Sequence, residues 1–364
     1  MADSPIAAKT DLLSCTIKVA GSKINEKYQV TDVYIHKEVN QVSSAKFEIL
    51  DGNFMNGTFP VSDSGFVPGD EVEILLGYHS TEETVYKGII IGHGLKIDPY
   101  FDVVPNRSKM VIHCADKAIK MTYGRKSVYH KKKKDSEIIS SLISPSGASA
   151  DVKATNTKHD MMVQFQCTDW DFMLTRAEAN GQIVMVDDGK VTVQPPTKTS
   201  AVLTITYGKD LYSFNAQVDG RGQITDVECE SWDHKTQEIV KGKSTEPTAF
   251  DGVGGPETGK KLAKISGASD LKLRVPVPLV AGELKDWAKG RVTKSRLGRI
   301  KGSCSFQGSS KVGLGKMVEF ASMDKYFNGD AFISSVTHRA ARGKWITEIG
   351  MGTSENWFIA EEKQ

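Results

Sequence analysis

The stretch that decides the fold runs from residue 167 to residue 194 and reads CTDWDFMLTRAEANGQIVMVDDGKVTVQ. Thr168 precedes Asp171 by three residues, which is the spacing of a capping box at a helix start. Four apolar residues then recur with helical spacing and share one face: Trp170, Met173, Leu174 and Ala177. Asn180-Gly181 is a typical end for such a helix. The stretch therefore predicts an amphipathic helix in which Trp170 is buried.

The second part of the stretch predicts a β-hairpin. Residues 183–186 (IVMV) form a short apolar run, and Asp187-Asp188-Gly189 is a turn sequence. Val191 and Val193 then alternate with polar residues, as on a strand with one buried face. A helix followed by a hairpin thus lies in the middle of a chain that otherwise has the patterns of strands.

Composition indicates a β-rich protein with several domains. The chain has 364 residues, which suggests two or three domains, with 33 glycines and 39% hydrophobic residues. Lysine and arginine number 47 against 45 aspartate and glutamate residues. Such a near-neutral balance argues against a nucleic-acid-binding protein and against a disordered acidic one.

The cysteines and the chain termini point to a protein that folds in the cytoplasm. The five cysteines contain no CxxC pair, so we expect buried reduced thiols and no zinc site: Cys15, Cys114, Cys167, Cys229 and Cys304. Residues 1–11 (MADSPIAAKTD) lack the pattern of a secretory signal, and no apolar run approaches the ~20 residues of a membrane span. If the protein leaves the cell, we expect another route.

A first β domain is predicted for residues 13–125, after an N-terminal tail at 1–12. Six candidate strands are separated mostly by Gly, Pro, Asn and Asp clusters: 14–20, 28–36, 44–50, 71–76, 85–91 and 109–114. A long loop lies between Leu50 and Gly65 and carries Phe54, Met55 and Phe59. Large apolar residues in such a loop either dock onto a partner or cover the end of their own barrel.

A central α+β region is predicted for residues 126–200 and begins with four consecutive lysines, Lys131–Lys134. These lysines form either a phosphate-binding patch or a solvated approach to a helix that Asp135 caps. Apolar residues with helical spacing mark the buried side of that helix: Ile138, Ile139, Leu142 and Ile143. The helix-hairpin stretch completes the region.

A second β domain is predicted for residues 201–353, with an inserted loop at 241–280 and a C-terminal tail at 354–364. Its candidate strands are 202–207, 211–217, 223–232, 302–306, 317–320, 331–338 and 345–350. Residues 271–279 (LKLRVPVPL) contain two prolines and suit an edge strand. Residues 283–296 are predicted to be helical because Leu284, Trp287 and Ala288 share one side.

The two β domains resemble each other, which predicts an internal repeat. Thr31-Asp32-Val33 is similar to Thr225-Asp226-Val227, and residues 68–74 (PGDEVEI) are similar to residues 314–320 (LGKMVEF). Tyr86-Lys87-Gly88 is similar to Phe327-Asn328-Gly329. The residue separations increase from 194 (225−31) to 246 (315−69), so we expect an insertion of about 50 residues in the second copy.

No catalytic or metal-binding pattern is recognisable in the sequence. HExxH, GxSxG and P-loop motifs are missing, and His113-Cys114 point to opposite faces of a strand. Four aspartates could be considered as ligands of a metal ion: Asp169, Asp171, Asp187 and Asp188. Helix capping and the hairpin turn already explain aspartate at these positions. We therefore expect no cofactor, and nothing singles out a pair of carboxylates for glycan cleavage.

The helix-hairpin resembles that of the hub proteins of contractile injection machines. This family includes the VgrG spike proteins of type VI secretion, their extracellular-injection relatives and the phage late-control D tail proteins. The similarity rests on seven residues of the segment TDWDFMLTRAEANGQIVMVDDGKVTV: Trp170, Asp171, Phe172, Ala177, Glu178, Asn180 and Gly181. The predicted repeat strengthens the resemblance, since these hubs carry two tube-like β-barrels separated by a smaller α+β region.

The resemblance implies a structural protein without enzymatic activity. It implies a homotrimer whose six barrels match a hexameric inner tube on one side and a three-fold spike on the other. Expected partners are the tube protein, a spike domain or spike protein, and baseplate proteins, without nucleic acid and with a membrane only as the target. Assembly is expected in the bacterial cytoplasm, before the hub joins an injection particle, phage-like tail or secretion apparatus.

Interface residues are expected at the two ends of the hub, in a loop of the β scaffold and near the C-terminus. Tube contacts are expected at Phe54, Met55 and Phe59, while Trp357-Phe358 are expected where the chain leaves the hub toward the spike. The chain stops at Gln364 without the oligonucleotide-fold-like barrel and triple β-helix of full VgrG chains. The expectation is either a separate spike chain or the hub part of a longer protein.

The sequence is also compatible with two other functions. One is a peptidoglycan-cleaving tail enzyme, for which a further α-rich domain with a catalytic carboxylate would be the distinguishing feature. The other is a nucleic-acid-binding barrel, whose distinguishing feature would be a basic face lined with aromatic residues. The near-neutral charge argues against the second.

Overall fold

The computed structural model describes residues 3–6, 12–52, 58–62, 65–97, 108–244, 249–251, 257–265, 267 and 270–353. These residues are mainly β, as the sequence predicts. The first half contains β1 (Leu13–Val19), β2 (Ser22–Lys23), β3 (Val30–Glu38), β4 (Ser44–Asp51), β5 (Glu71–Tyr78), β6 (Thr81–Ile97), β7 (Ser108–Ala115) and a 3-10 helix (Lys117–Thr122).

The centre contains β8 (Lys126–Lys134), α1 (Asp135–Ile143), a 3-10 helix (Ser144–Ser146), β9 (Ser149–Val152), β10 (Lys158–Cys167), α2 (Asp169–Ala179), β11 (Ile183–Asp187) and β12 (Lys190–Gln194). The second half contains β13 (Ala201–Thr206), β14 (Leu211–Val218), β15 (Val227–Asp233), β16 (Glu238–Ser244), α3 (Gly259–Ile265), β17 (Leu271–Val275), α4 (Ala281–Leu297), β18 (Ile300–Gln307), β19 (Met317–Ala321), β20 (Gly329–Ala341) and β21 (Lys344–Met351).

One sheet of thirteen strands runs through both halves. Its main path is β14-β18-β21-β20-β3-β4-β7-β6-β5-β1-β2, and β19 joins β13 to β20. Each strand places alternate residues on the two faces, so in β4 Ala45, Phe47 and Ile49 enter the core while their neighbours face outward. Each half has its own apolar cluster, one around Phe47 and one around Phe306.

The central helix-hairpin is confirmed. The Thr168 hydroxyl accepts a hydrogen bond from the Asp171 amide (3.0 Å), and Trp170, Met173 and Leu174 are buried against α1 and the hairpin. The Asp188-Gly189 turn has two left-handed residues, as a two-residue hairpin turn requires. β9 adds a third strand parallel to β12, which no pattern in the sequence predicts.

One local prediction in the central region is wrong. The four lysines end the strand β8 and lead directly into α1, and Lys131, Lys132 and Lys133 are exposed, as predicted for a solvated approach to this helix. Lys134 is the N-cap of α1, and Asp135 is the first helical residue. The Asp135 carboxylate does not cap the helix because Arg176, Asn180 and His159 all contact it.

The insertion in the second half is larger than predicted and is folded. The predicted loop at 241–280 contains, among its described residues, the end of β16, α3 and β17. β15, β16 and β17 form a three-stranded sheet covered by α4, with Leu284, Ala288 and Val292 buried between them. β17 is an edge strand, as predicted for residues 271–279, and the two prolines, Pro276 and Pro278, follow directly after it.

All five cysteines are free, but the prediction that they are buried is wrong for Cys15, which is exposed. Cys114, Cys229 and Cys304 are buried, and Cys167 is half-buried. In the described part of the chain, no helix is long and apolar enough to span a membrane.

Two glycines set the distance between α2 and α4. A Cβ atom on Gly290 would lie 2.5 Å from the Gly181 Cα, and Gly181 has a left-handed φ of +62°. We expect Gly290→Ala to lower the free energy of unfolding by about 1–3 kcal/mol, because the added methyl group forces the two backbones apart. Chemical denaturation would measure the loss.

Gly282→Ala is the matched control for that substitution. Gly282 lies in the same helix, and its Cβ would meet only the Thr157 hydroxyl at 3.4 Å. We expect no loss there, because alanine is the better helix former. Equal effects at both glycines would contradict the role assigned to the close approach.

Candidate assembly interface

The described residues do not bring together a recognisable catalytic or metal centre. No three His, Cys, Asp or Glu side chains in the described ranges are arranged to hold a metal ion. Asp169 pairs with Lys126 (2.6 Å), and the Asp171 carboxylate accepts a hydrogen bond from the hydroxyl of Thr168, the N-cap of α2 (2.7 Å). Asp187 and Asp188 both pair with Lys37 of β3. These four aspartates therefore take part in ion pairs and hydrogen bonds within the fold.

The two halves use the same strand order. The first half runs β1-β5-β6-β7-β4-β3, and the second runs β13-β19-β20-β21-β18-β14. The first pair differs in direction, since β1 and β5 are antiparallel while β13 and β19 are parallel. The order nevertheless agrees at every position, so the predicted internal repeat is present.

Residue equivalences follow from rows of paired residues that cross four strands. One row is Ile90, Cys114, Ala45 and Ile35. The matching row is Ile333, Met351, Gly302 and Ala216. In both halves the pairing register shifts immediately after the first residue of the row. Residues of β6 therefore correspond to β20 with a difference of 243 (333−90), and those of β3 to β14 with a difference of 181 (216−35).

Backbone hydrogen bonds confirm one sequence match and correct another. The Gly69 amide donates to the Ile90 carbonyl (2.8 Å), and the Gly315 amide donates to the Ile333 carbonyl (3.0 Å). The match of residues 68–74 with 314–320 is therefore confirmed. The match of Thr31 with Thr225 is wrong because the equivalent of β3 is β14. The insertion consequently occupies residues 219–299, between β14 and β18.

The two halves meet where β20 pairs with β3, and we call this pairing the internal seam. It is antiparallel and runs from Ser335 opposite Glu38 to Ala341 opposite Asp32. Arg339 forms an ion pair with Asp32 (3.1 Å) on the polar face. On the other face the paired residues are buried: Val33, Ile35, Lys37, Val336, His338 and Ala340. The seam is thus built like the interior of the sheet.

Burial shifts the pKa values of two titratable side chains beside the internal seam, Asp188 and His338. Lys37 is buried and contacts both Asp187 and Asp188, with its Nζ 3.6 Å from the Asp188 Oδ1. Burial raises the pKa of Asp188, and the Asp187 charge adds to this, while the Lys37 charge opposes it. Burial lowers the pKa of His338 to about 3, so this side chain is neutral at pH 7. The ion pair ties the central hairpin to the seam.

The edge of β6 that corresponds to the seam edge of β20 has no paired strand among the described residues. Up to Ile90 this strand bonds to the segment around Gly69 and to β5. From Ile91 to Ile97 it bonds to β7 on one side, and no strand among the described residues pairs with it on the other. Leu95 is 49% exposed and Ile97 is 64% exposed, although both point to the apolar face of the sheet.

The equivalent edge of β14 is free as well. β14 pairs with β18 only, so within the described ranges it is one end of the thirteen-stranded sheet. Phe214 and Ala216 lie on its apolar face, and Ser213, Asn215 and Gln217 lie on its polar face. One chain therefore has two free edges. The edge of β6 corresponds to β20 of the internal seam, and the edge of β14 corresponds to β3.

The residue pairs of the internal seam give the register in which the two free edges can pair. The β20 numbers are reduced by 243 to give residues of β6, and the β3 numbers are increased by 181 to give residues of β14. Ala340 opposite Val33 becomes Ile97 (340−243) opposite Phe214 (33+181). By the same arithmetic, His338 opposite Ile35 becomes Leu95 opposite Ala216. Arg339 opposite Tyr34 becomes Lys96 opposite Asn215. Apolar residues meet on one face and polar residues on the other, which is the pattern of a stable sheet.

The interface residues named from the sequence are not the ones that form these edges. Phe54, Met55, Trp357 and Phe358 lie outside the described residues. Phe59 is half-buried beside Gly52, in a loop that the Asp51 carboxylate holds through the amides of Val61 and Ser62. The candidate strand at 85–91 was too short to include the free edge, since GHGLKI contains two glycines that weaken a strand signal.

Comparison with known proteins identifies one family and several similar structures. A family model described as the Alg8 N-terminal domain matches residues 9–342. No curated protein sequence matches the chain. A 43 kDa tail protein of a Shewanella oneidensis prophage has a similar structure, with a TM-score of 0.68 at 12% identity, over 94% of this chain and 99% of that one. A tail protein of Neisseria meningitidis reaches 0.63 at 14% identity, over 95% and 98%.

A third similar structure comes from a secretion system. It is an Escherichia coli component of type VI secretion described as similar to T4 bacteriophage tail proteins, with a TM-score of 0.58 at 11% identity, over 94% of this chain and 78% of that one. At such identities the likeness concerns the fold alone. The chain therefore has the fold of phage tail proteins.

Proposed function

The chain belongs to the Alg8 N-terminal domain family, and from its tail-protein fold we propose that it is the structural hub of a contractile injection machine. Its role is to join a hexameric inner tube to a three-fold spike as a homotrimer. The observation that carries this proposal is the internal seam and its two free counterparts on β6 and β14. The two tube-like domains are the sets of six equivalent strands, on either side of the central region.

The free edges support a closed ring. β6 of one copy pairs with β14 of the next, in the register Leu95 opposite Ala216 and Lys96 opposite Asn215. Each such contact is heterologous, and a heterologous contact closes into a ring when the rotation between copies permits. Three copies then present six equivalent strand sets around one axis, which matches a hexameric tube. Ring closure also removes the two unpaired edges, which would otherwise invite uncontrolled association.

The uncovered face of the sheet suits a water-filled passage. Many paired positions on this face carry polar or charged side chains, with Leu50, Val111 and Ile346 among the apolar exceptions. The polar and charged residues are Asp32, Tyr34, His36, Lys46, Glu48, Lys109, His113, Ser303, Ser305, Thr337, Arg339 and Glu348. An antiparallel sheet with one apolar and one polar face has its polar face in water. The proposed ring therefore lines its passage with charges of both signs.

Cross-linking of designed cysteines tests the register directly. In a chain with Cys15→Ser, we expect Lys96→Cys and Asn215→Cys together to form an interchain disulfide under mild oxidation. Opposed residues in antiparallel strands have Cα atoms about 4.5–5.5 Å apart, within the range that a disulfide bridges. The expected product on a denaturing gel is a covalent ring of three chains.

Lys96→Cys with Ser213→Cys is the matched control, since the second cysteine then lies two residues out of register. We expect markedly less cross-linking from this pair. Equal cross-linking of both pairs would reject the register, and a monomer by light scattering in both the absence and the presence of a spike partner would reject the ring.

The loop residues Phe54, Met55 and Phe59 remain proposed tube contacts, with Trp357 and Phe358 proposed at the spike end. We expect serine at the three loop positions to leave thermal melting unchanged and to prevent attachment to tube rings in electron micrographs, because apolar loop residues act as interface anchors. A lower melting temperature would instead assign them to the core. Unchanged melting with normal attachment would refute the assignment.

A further inference from the structure

A two-stranded ribbon projects from the central region without joining the large sheet. β8 and β10 pair with each other and, within the described residues, with no further strand. We call this pair the exposed ribbon. Its inner face packs on α2, where His130 stacks on Phe172 with ring centroids 5.8 Å apart. Gln164 is buried on the same face and donates a hydrogen bond to Asp169 (3.0 Å).

The outer face of the exposed ribbon is unusually apolar. Met161, Val163 and Phe165 are every second residue of β10, and all three are exposed. Tyr129 of β8 is opposite Val163 and is exposed too. Phe165 is 74% exposed, the largest value among the exposed large hydrophobic residues that the structure describes.

This arrangement departs from the usual pattern of a sheet with one wet face. Such a sheet places apolar residues inward and polar residues outward. Here the inner face holds Gln164 and His130 beside Met162, while the outer face holds four large apolar side chains. A contiguous exposed apolar surface of this kind marks a binding site rather than a solvated face.

Unpaired lysines lie at one end of the same ribbon. Lys131 is opposite Met161, and Lys133 is near it on the same strand. In the described part of the chain neither lysine forms an ion pair, and neither does Lys158 of β10. Lys132 differs because it pairs with Asp160. A ligand of the ribbon therefore meets apolar side chains at one end and free positive charge at the other.

We propose that the exposed ribbon binds an extended acidic segment of another protein, in which apolar side chains occupy one end and aspartate or glutamate the other. Such a strand places its apolar residues against Val163 and Phe165, and its carboxylates near Lys131 and Lys133. Charge complementarity selects the partner, and the apolar stripe supplies the contact area. This partner is additional to the copies of the chain that form the ring.

Peptide binding tests the proposal with defined probes. We expect a ten-residue peptide of five valines followed by five glutamates to bind the full chain in fluorescence anisotropy, and the valine-lysine peptide, with lysine in place of glutamate, not to bind. Binding weakens as salt is added, since the attraction is screened. Anionic phosphatidylglycerol vesicles and oligothymidine are tested in parallel as competing ligands.

Two variants locate the binding on the ribbon. We expect Phe165→Ser, and separately Lys131→Glu with Lys133→Glu, each to weaken binding of the valine-glutamate peptide by about tenfold or more, as loss of an anchor does. Tyr207→Ser is the control, because Tyr207 is an exposed aromatic residue on a different segment. All substituted side chains are exposed, so folding is retained, which circular dichroism checks.

Four results would overturn the proposal. These are no binding of the acidic peptide, equal binding of both peptides, unchanged affinity in both ribbon variants, or a preference for the vesicles or oligothymidine. None of them bears on the ring, which the cysteine cross-links test at β6 and β14.

Discussion

Replacing Trp170 with alanine is expected to reduce the free energy of unfolding by about 3–5 kcal/mol, the usual cost of deleting a large buried aromatic side chain. Trp170 is only 7% exposed and packs in the central apolar cluster with Met173, Leu174 and Ala177. The loss has two parts, the apolar area no longer removed from water and the cavity left between α1, α2 and the hairpin. Chemical denaturation followed by far-ultraviolet circular dichroism measures it.

Trp232→Ala is the matched control for that substitution. Trp232 is 43% exposed at the end of β15, where it lies opposite Ile239. Removing it leaves no enclosed cavity, so we expect a loss of about 1 kcal/mol or less. If Trp170→Ala unfolds at the same denaturant concentration as the wild type, Trp170 does not pack as described.

Asp135→Ala is expected to cost about 3–5 kcal/mol, because it leaves a buried charge without its partner. The Asp135 carboxylate accepts two hydrogen bonds from the Arg176 guanidinium, at 2.6 and 2.8 Å. Asn180 donates a third at 2.9 Å, and His159 lies 3.1 Å away. The cluster joins α1, α2 and β10, so its loss affects the whole central region.

A double substitution separates the charge from the packing. Asp135→Leu with Arg176→Met removes both charges and retains side-chain volume, so we expect it to be markedly more stable than Asp135→Ala alone. Asp160→Ala is the surface control, since the pair of Asp160 with Lys132 is exposed and contributes little. A double variant as unstable as the single one would show that the charges are not the source of the loss.

The cluster around Asp135 predicts how the free energy of unfolding depends on pH. Burial alone would raise the pKa of Asp135, but the hydrogen bonds from His159 and Arg176 and the Arg176 charge outweigh it and hold the pKa below its ordinary value. The contribution of ionised Asp135 to the free energy of unfolding is therefore complete above the unfolded-state pKa of about 3.9, and it is lost as the pH falls below that pKa. We expect the acid loss of stability between about pH 4 and pH 2 to be shallower in Asp135→Asn than in the wild type.

The sequence by itself determined the local elements. The capping spacing of Thr168 and Asp171 and the apolar stripe through Trp170 predicted α2, and the Asp188-Gly189 turn predicted the hairpin. These signals depend on residues near each other along the chain, so a single sequence contains them in full. The mainly β class and the match of Gly69 with Gly315 were recognisable for the same reason.

Only the tertiary structure decided which strands pair. Strand pairing joins residues hundreds of positions apart, as Arg339 and Tyr34 are, and no local pattern encodes such a partner. The equivalence of β3 with β14 was therefore missed, and with it the free edges. The role of Asp135 was missed for a related reason. A carboxylate at a helix start looks like a cap from sequence alone, and only the fold brings Arg176 within 2.6 Å of it.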